Sequence, residues 1–307
     1  MKLKIRSVGF KAFSLIWAVL FLQLGFSIWG VGIIGPTILF AKQVPRETIV
    51  DTLVSIDGFS LNFRIYRAGR PTILLEAGGG MDLSEWETIA PELVKKTGAT
   101  VVSYDRAGFG RSDLPEHPCD MKIEAGWLWK AMKQLGFKKD IVLVGHSYGG
   151  WMIRIEASEN PAAVIGIVFI DPFSVELVDQ LGTAYLDQHP MVGKLPFDTS
   201  RPEKLTKYER ALMRMVGDGL GSKVKIMRET TIPKGIPIFI IKSGLPFLQN
   251  EEEQKAWNQA LDTMAASIEG AFLIVAEDSD HMIPFKQPDL IVETVVQTID
   301  LARFEKE

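Results

Sequence analysis

Charged and apolar positions alternate along most of this chain, but not near its start. Lys2, Lys4, Arg6 and Lys11 precede a run from Ala12 to Ala41 that contains no charged residue. Crossing a bilayer takes about 20 apolar residues, and a helix packed on a globular core usually keeps one polar face. A cleavable signal has a shorter apolar stretch, about 7–15 residues, and a small-x-small cleavage site. Here the run is longer and ends "ILFAKQVP", so residues 12–41 read as an uncleaved single-pass transmembrane anchor. Four basic residues lie before it and only Lys42 and Arg46 after it. The positive-inside rule then places residues 1–11 in the cytoplasm and everything after the anchor on the outer side of the membrane. Residues 42–50 read as a linker.

Beyond the linker the rhythm becomes that of a globular domain. "TLVSIDGFSLNFRIYRAG" has two alternating runs around Asp57-Gly58, which predicts a β-hairpin. "PTILLEAGGG" predicts a buried strand and a glycine loop, and "SEWETIAPELVKKTG" a helix with a glycine stop. "ATVVSYDRAGFGRSD" reads as strand and loop, residues 121–136 as helix, "DIVLVGHS" as strand, "YGGWMIRIEASEN" as helix and "AVIGIVFIDP" as strand. Residues 172–235 break the alternation with helical patterns such as "KLTKYERALMRMVG". "IPIFIIKSG" is again a strand. A helix follows whose start, Asn250 with Glu253, suits a capping box. "GAFLIVAED" and "PDLIVETVVQTIDLARF" close the chain as strand and helix. Such alternation predicts an α/β fold with a mostly parallel sheet covered by helices on both faces. An interruption of this length is too long for an ordinary connection, so residues 172–235 are expected to form a helical cap on a core of 51–171 and 236–307.

Charge narrows the range of partners. Six of the 34 basic and one of the 38 acidic residues fall in positions 1–48, so the remainder carries 28 against 37, a net of −9. A domain of that sign does not suit nucleic acid. Cys119 is the only cysteine, so no internal disulfide forms, and the four histidines have no metal-ligand spacing. "LPEHPCD", with His117 and Cys119, reads as a surface loop.

The chemistry centres on Gly145-His146-Ser147-Tyr148-Gly149, which fits G-x-S-x-G. It could be a turn that happens to contain serine. Its position between a predicted strand and a predicted helix argues instead for a nucleophile elbow. At so sharp a turn neighbouring backbone approaches closely, and glycines two places either side leave room for it. The Tyr148 backbone N–H, at the start of the helix, is then available to an oxyanion.

From about residue 50 to its end the chain resembles the α/β-hydrolase superfamily. "SYDRAGFGRSD" is similar to the family's Y-D-x-R-G-x-G-x-S loop, "EDSDHMIPFKQPDLIVE" to the loop and helix around its catalytic histidine, and "LLEAGGG" stands where the family has a His-Gly oxyanion loop. The resemblance implies Ser147 as nucleophile, His281 as general base, and Gly78 or Gly79 as donor of the second oxyanion N–H. His146 reads as packing beside the serine or as support behind the site, and Asp105 as a residue that fixes its turn. Glu76 stands in place of the family's histidine. At the end of a central strand its carboxylate either pairs with Arg106 or reaches solvent. No aspartate follows the strand after the cap, where many members carry the triad acid. Some members place it after the strand before the cap, and there this chain has Asp171. Glu251 is the alternative acid. Asp278 and Asp280 lie too near His281 in sequence.

The expected activity is that of a membrane-anchored serine hydrolase, esterase- or lipase-like, acting on a small apolar ester, thioester or amide through an acyl-enzyme on Ser147. Within the family an aspartate nucleophile would have suggested a dehalogenase or epoxide hydrolase. The chemistry needs neither metal nor organic cofactor. The competing reading is a hydrolase fold kept as an inactive binding or scaffold domain.

Overall fold

The computed structural model describes residues 6–7, 48–116, 120–189, 195–217 and 219–304. The run 12–41 with residues 8–11 and 42–47, and His117 and Cys119, lie outside the described residues. Among those described, no helix is long and apolar enough to cross a membrane.

In chain order the elements are β1 (Arg6–Ser7), β2 (Thr48–Ile56), β3 (Phe59–Arg67), β4 (Gly69–Glu76), α1 (Ile89–Thr97), β5 (Ala99–Tyr104), α2 (Met121–Gln134), β6 (Ile141–His146), α3 (Tyr148–Glu159) and β7 (Val164–Ile170). Then come α4 (Val175–Leu181), α5 (Thr183–Leu186), α6 (Lys207–Gly217), α7 (Gly219–Glu229), β8 (Ile238–Ser243), α8 (Glu251–Ser267), β9 (Phe272–Ala276), α9 (Ile283–Lys286) and α10 (Pro288–Phe304). Thr48–Val50, read from sequence as the end of a linker, already belong to β2.

The strands form one sheet in the order β1-β9-β8-β7-β6-β4-β5-β3-β2. From β5 through β4, β6, β7 and β8 to β9 every pairing is parallel. The β2–β3 hairpin joins antiparallel at one edge, and β1 pairs antiparallel with β9 at the other. Asp57 and Gly58 both have positive φ, the backbone that a two-residue turn between twisted strands requires. Because parallel strands are covered on both faces, β5 and β6 are buried along their whole length. One apolar cluster joins Trp127 and Leu128 of α2, Ile153 of α3 and Trp257 and Leu261 of α8 to one face. A second joins Ile89 and Leu93 of α1 and Leu290, Ile291 and Val295 of α10 to the other.

The segment between β7 and β8 contributes α4 to α7. Val178, Leu186, Leu220, Val224 and Met227 pack with Trp151 and Met152 of α3 in a third cluster, which ties α4, α5 and α7 to the core. The capping box differs from expectation. Asn250 Oδ1 accepts from the N–H groups of Glu252 and Glu253. The Glu253 carboxylate, however, turns away to Tyr185 and His189.

Candidate active site

The site is assembled at the C-terminal edge of the parallel strands, where β4, β6, β7, β8 and β9 each end in a loop. Ser147 follows β6 directly and has φ 53° and ψ −117°, a conformation that L-residues rarely adopt. Its N–H is held by the Ile170 carbonyl at 2.9 Å, and its carbonyl accepts from Gly150 and Phe173. The flanking glycines are required by sterics. A Cβ on Gly145 would lie 2.5 Å from the Gly149 carbonyl oxygen, and one on Gly149 would lie 2.5 Å from the Glu76 oxygen. Both distances are impossible, so the elbow closes only with glycine at both places.

Ser147 Oγ lies 2.9 Å from Nε2 of His281, and the same ring's Nδ1 lies 2.6 Å from Asp171 Oδ2. His281 comes from the loop after β9. Phe247 stacks on its ring with centroids 4.8 Å apart, and Trp257 meets it edge-on. Asp171 ends β7 with φ 41° and is fully buried. Its N–H donates to the Ile241 carbonyl, and its Oδ1 accepts from the backbone N–H and the hydroxyl of Ser243 at 2.9 and 3.1 Å. Oδ2 is therefore the oxygen left to the imidazole. Glu251 is exposed at the first position of α8 and is not among the partners of His281. Asp280 pairs with Lys286 and accepts from the Met282 N–H, both of which hold its carboxyl below the usual range. Asp105 accepts from Leu83, Asn62 and Arg111, tying its own loop to β3 and to the turn at Leu83.

Around the glycine loop the structure separates two candidates that sequence left equal. The Gly78 N–H donates to Glu85 Oε2 at 2.7 Å and so is already committed. The Gly78 carbonyl accepts from the Arg106 guanidinium. In a trans peptide the C=O and the following N–H point in opposite directions, so Arg106 aims the Gly79 N–H away from itself. A Cβ on Gly79 would face Tyr148 Cβ at 3.4 Å, so this peptide borders the elbow. The Tyr148 N–H is the first of α3, at the positive end of the helix and directly after Ser147. Of the two glycine peptides, it is that of Gly79 that lies beside the start of α3, while the Gly78 N–H is taken by Glu85.

Glu76 does pair with Arg106. Its Oε1 is 2.6 Å from Arg106 Nη1, its Oε2 accepts from the Tyr104 hydroxyl at 2.5 Å, and it is fully buried. Burial pushes its carboxyl up while the guanidinium pulls it down. Arg106 also donates to the Ala77 carbonyl, so the pair clamps the end of β4. His146 is 2% exposed; its Nδ1 meets Glu85 Oε1 at 2.5 Å and its Nε2 meets the His281 carbonyl at 2.9 Å. Beyond Phe247 opens a cleft of about 730 Å³ bordered by Tyr185, His189, Leu248 and Glu253.

Glu85, Ser243, Phe247 and Trp257 carry no motif, and sequence reasoning did not find them.

Comparison with known proteins agrees with this architecture. The family described as alpha/beta hydrolase fold matches residues 71–288. A proline iminopeptidase of Saccharolobus solfataricus is 26% identical over 285 aligned positions, covering 80% of this chain and 90% of the relative. The uncharacterized protein YqjL of Bacillus subtilis is 23% identical over 253 positions, again 80% and 90%. Among solved structures the epoxide hydrolase CorEH superposes with a TM-score of 0.59 at 18% identity, covering 82% of this chain and 99% of that one. Cfl2 of Burkholderia cenocepacia superposes with 0.55 at 18%, covering 80% and 94%.

Proposed function

The chain belongs to the alpha/beta hydrolase fold family, and from that premise we propose that it is a serine hydrolase cleaving carboxylic esters, or thioesters and amides, through an acyl-enzyme on Ser147. The observation that carries this reading is the unbroken relay from Ser147 Oγ through His281 to a buried, doubly anchored Asp171. His281 Nε2 takes the hydroxyl proton as Oγ attacks the substrate carbonyl. The Tyr148 and Gly79 N–H groups receive the charge that develops on the carbonyl oxygen. Collapse breaks the bond to the leaving group, which takes the proton from His281. Water, deprotonated by the same ring, then releases the acid. Asp171 fixes the tautomer with its proton on Nδ1 and stabilises the imidazolium formed in each half. The segment 172–235 acts as a cap that selects substrate by size. The uncharged run 12–41 makes the enzyme a membrane-anchored one, suited to small apolar esters.

A fluorophosphonate probe and a series of p-nitrophenyl esters of graded chain length test the proposal, with prolyl-p-nitroanilide as the amide arm. Native protein should label and turn over at least one substrate. Ser147→Ala should abolish labelling and lower turnover by about 10⁴-fold or more while folding normally. Native protein that labels no better than heat-denatured protein would favour an inactive binding domain.

A further inference from the structure

The mechanism leaves one buried ionisable couple unused. Glu85 and His146 lie under the site, both at 2% exposure, so neither touches substrate. Glu85 holds the Gly78 N–H with one oxygen and His146 Nδ1 with the other. His146 Nε2 faces only a carbonyl oxygen, that of His281, so this nitrogen must carry a proton. Burial pulls the imidazole down, but the Glu85 charge and hydrogen bond, the His281 carbonyl and Asp171 together hold it above its ordinary value. One proton is shared between Nδ1 and the Glu85 carboxylate and binds the two side chains to each other.

Three parts of the chain that share no secondary-structure element are joined by this couple. Gly78, whose carbonyl Arg106 holds on the other side, sets the direction of the Gly79 N–H. His146 sits beside the nucleophile in the elbow. The His281 carbonyl belongs to the loop that presents the base. We propose that Glu85 and His146 are positioning residues, a buried link that fixes the oxyanion loop and the His281 loop at one spacing. It thereby keeps donor, nucleophile and base in register. This inference rests on the serine-hydrolase reading for its kinetic consequences but not for its geometry.

Glu85→Leu and His146→Leu, alone and combined, test it with ester kinetics, probe labelling and urea unfolding. Each single change should lower kcat and labelling rate by roughly 10–100-fold, the size expected when a reacting group is displaced by about an ångström. KM should stay within about threefold, because no substrate contact is lost. The double variant should be little worse than either single one, since both cut the same link. Glu85→Gln should recover most of the loss: its amide oxygen can accept from Gly78 and its NH₂ can donate to a neutral Nδ1. Folded Glu85→Leu with unchanged kcat, or additive losses, would overturn the proposal.

If the leucine variants do not fold, the imidazole proton spectrum of the native protein decides. A downfield N–H resonance that Glu85→Gln removes, and that persists in Asp171→Asn, supports the link; its absence overturns it. Native protein that neither labels nor turns over ester would sink the serine-hydrolase reading, and the spectrum would still judge the coupling.

Discussion

Asp171→Asn is the sharpest perturbation the site offers, because the surroundings dictate how the amide must sit. Two donors, the Ser243 N–H and hydroxyl, point at Oδ1. An asparagine must therefore put its carbonyl oxygen there, and its NH₂ falls at the Oδ2 position, 2.6 Å from His281 Nδ1. Two donors cannot face each other, so Nδ1 gives up its hydrogen and the proton moves to Nε2. That nitrogen then points an N–H at Ser147 Oγ and can no longer accept its proton. In a serine-histidine-aspartate triad this tautomer reversal costs about 10⁴-fold in kcat, or about 5.5 kcal/mol at 1.36 kcal/mol per decade. The fold should scarcely respond, since the bonds from Ser243 and to the Ile241 carbonyl survive unchanged and only the bond to His281 Nδ1 exchanges donor and acceptor. The assay is kcat for a p-nitrophenyl ester together with the urea midpoint. Glu251→Gln, at an exposed helix start, should leave both unchanged. An Asp171→Asn enzyme within about tenfold of native rate, or a dead Glu251→Gln enzyme, would refute the assignment of the acid.

Arg106→Met should lower unfolding free energy by about 3–5 kcal/mol in urea titration, because it strands the buried Glu76 carboxylate, whereas Glu76→Met/Arg106→Met should regain much of the loss; a single variant within 1 kcal/mol of native would count against the pair. Glu156 is buried on α3 with no hydrogen-bond partner for either carboxylate oxygen, and burial, then the Glu76 and Glu159 charges, push its carboxyl well up. A raised folded-state value means the native protein holds this proton more tightly than the unfolded chain. Its contribution to stability is therefore present at low pH and falls as pH rises through the window above the ordinary carboxyl range, by about 1.4 kcal/mol per unit traversed. Glu156→Gln should thus gain on native protein between pH 5 and pH 8, and an unchanged difference would show that the group does not titrate there. The run 12–41 should keep the protein in the membrane pellet through salt and carbonate washes. A single crossing also requires the pairing of Arg6 and Ser7 with β9 to be given up. Protease applied from the outer side should reach a tag after Glu307 and not one before Met1, and digestion of both tags would refute the orientation.

What the sequence made legible was whatever a single stretch of backbone decides. Strand and helix alternation has a short period, so the order of elements could be read directly, and the sheet follows from it. The elbow could be read because its constraint is local: Gly145 and Gly149 are forced by backbone within a few residues and by the neighbouring end of β4. The acid was narrower than motif matching suggests. Asp171 and Glu251 are both carboxylates after strands, and what separates them is a positive φ at the end of β7 and two donors from Ser243, 72 residues further along. Neither feature leaves a periodic or spacing signal.

The glycine loop shows the limit most plainly. Gly78 and Gly79 are chemically identical and adjacent, so nothing in their own sequence can rank them. The difference comes from Glu85, which occupies one N–H, and from Arg106, which orients the peptide bearing the other. A residue's role here is assigned by the groups that take up its neighbours' hydrogen bonds. Arg106 itself is charged and buried, a costly placement that persists because Glu76, Ala77 and Gly78 all accept from it. The same guanidinium that satisfies the misplaced-looking Glu76 is thus the one that holds the Gly78 carbonyl and so orients the Gly78–Gly79 peptide. The pairing of Glu76 with Arg106 and the orientation of the Gly78–Gly79 peptide are therefore one structural fact, and under the proposed serine-hydrolase mechanism a change at Glu76 should be felt at the oxyanion before it is felt at Ser147.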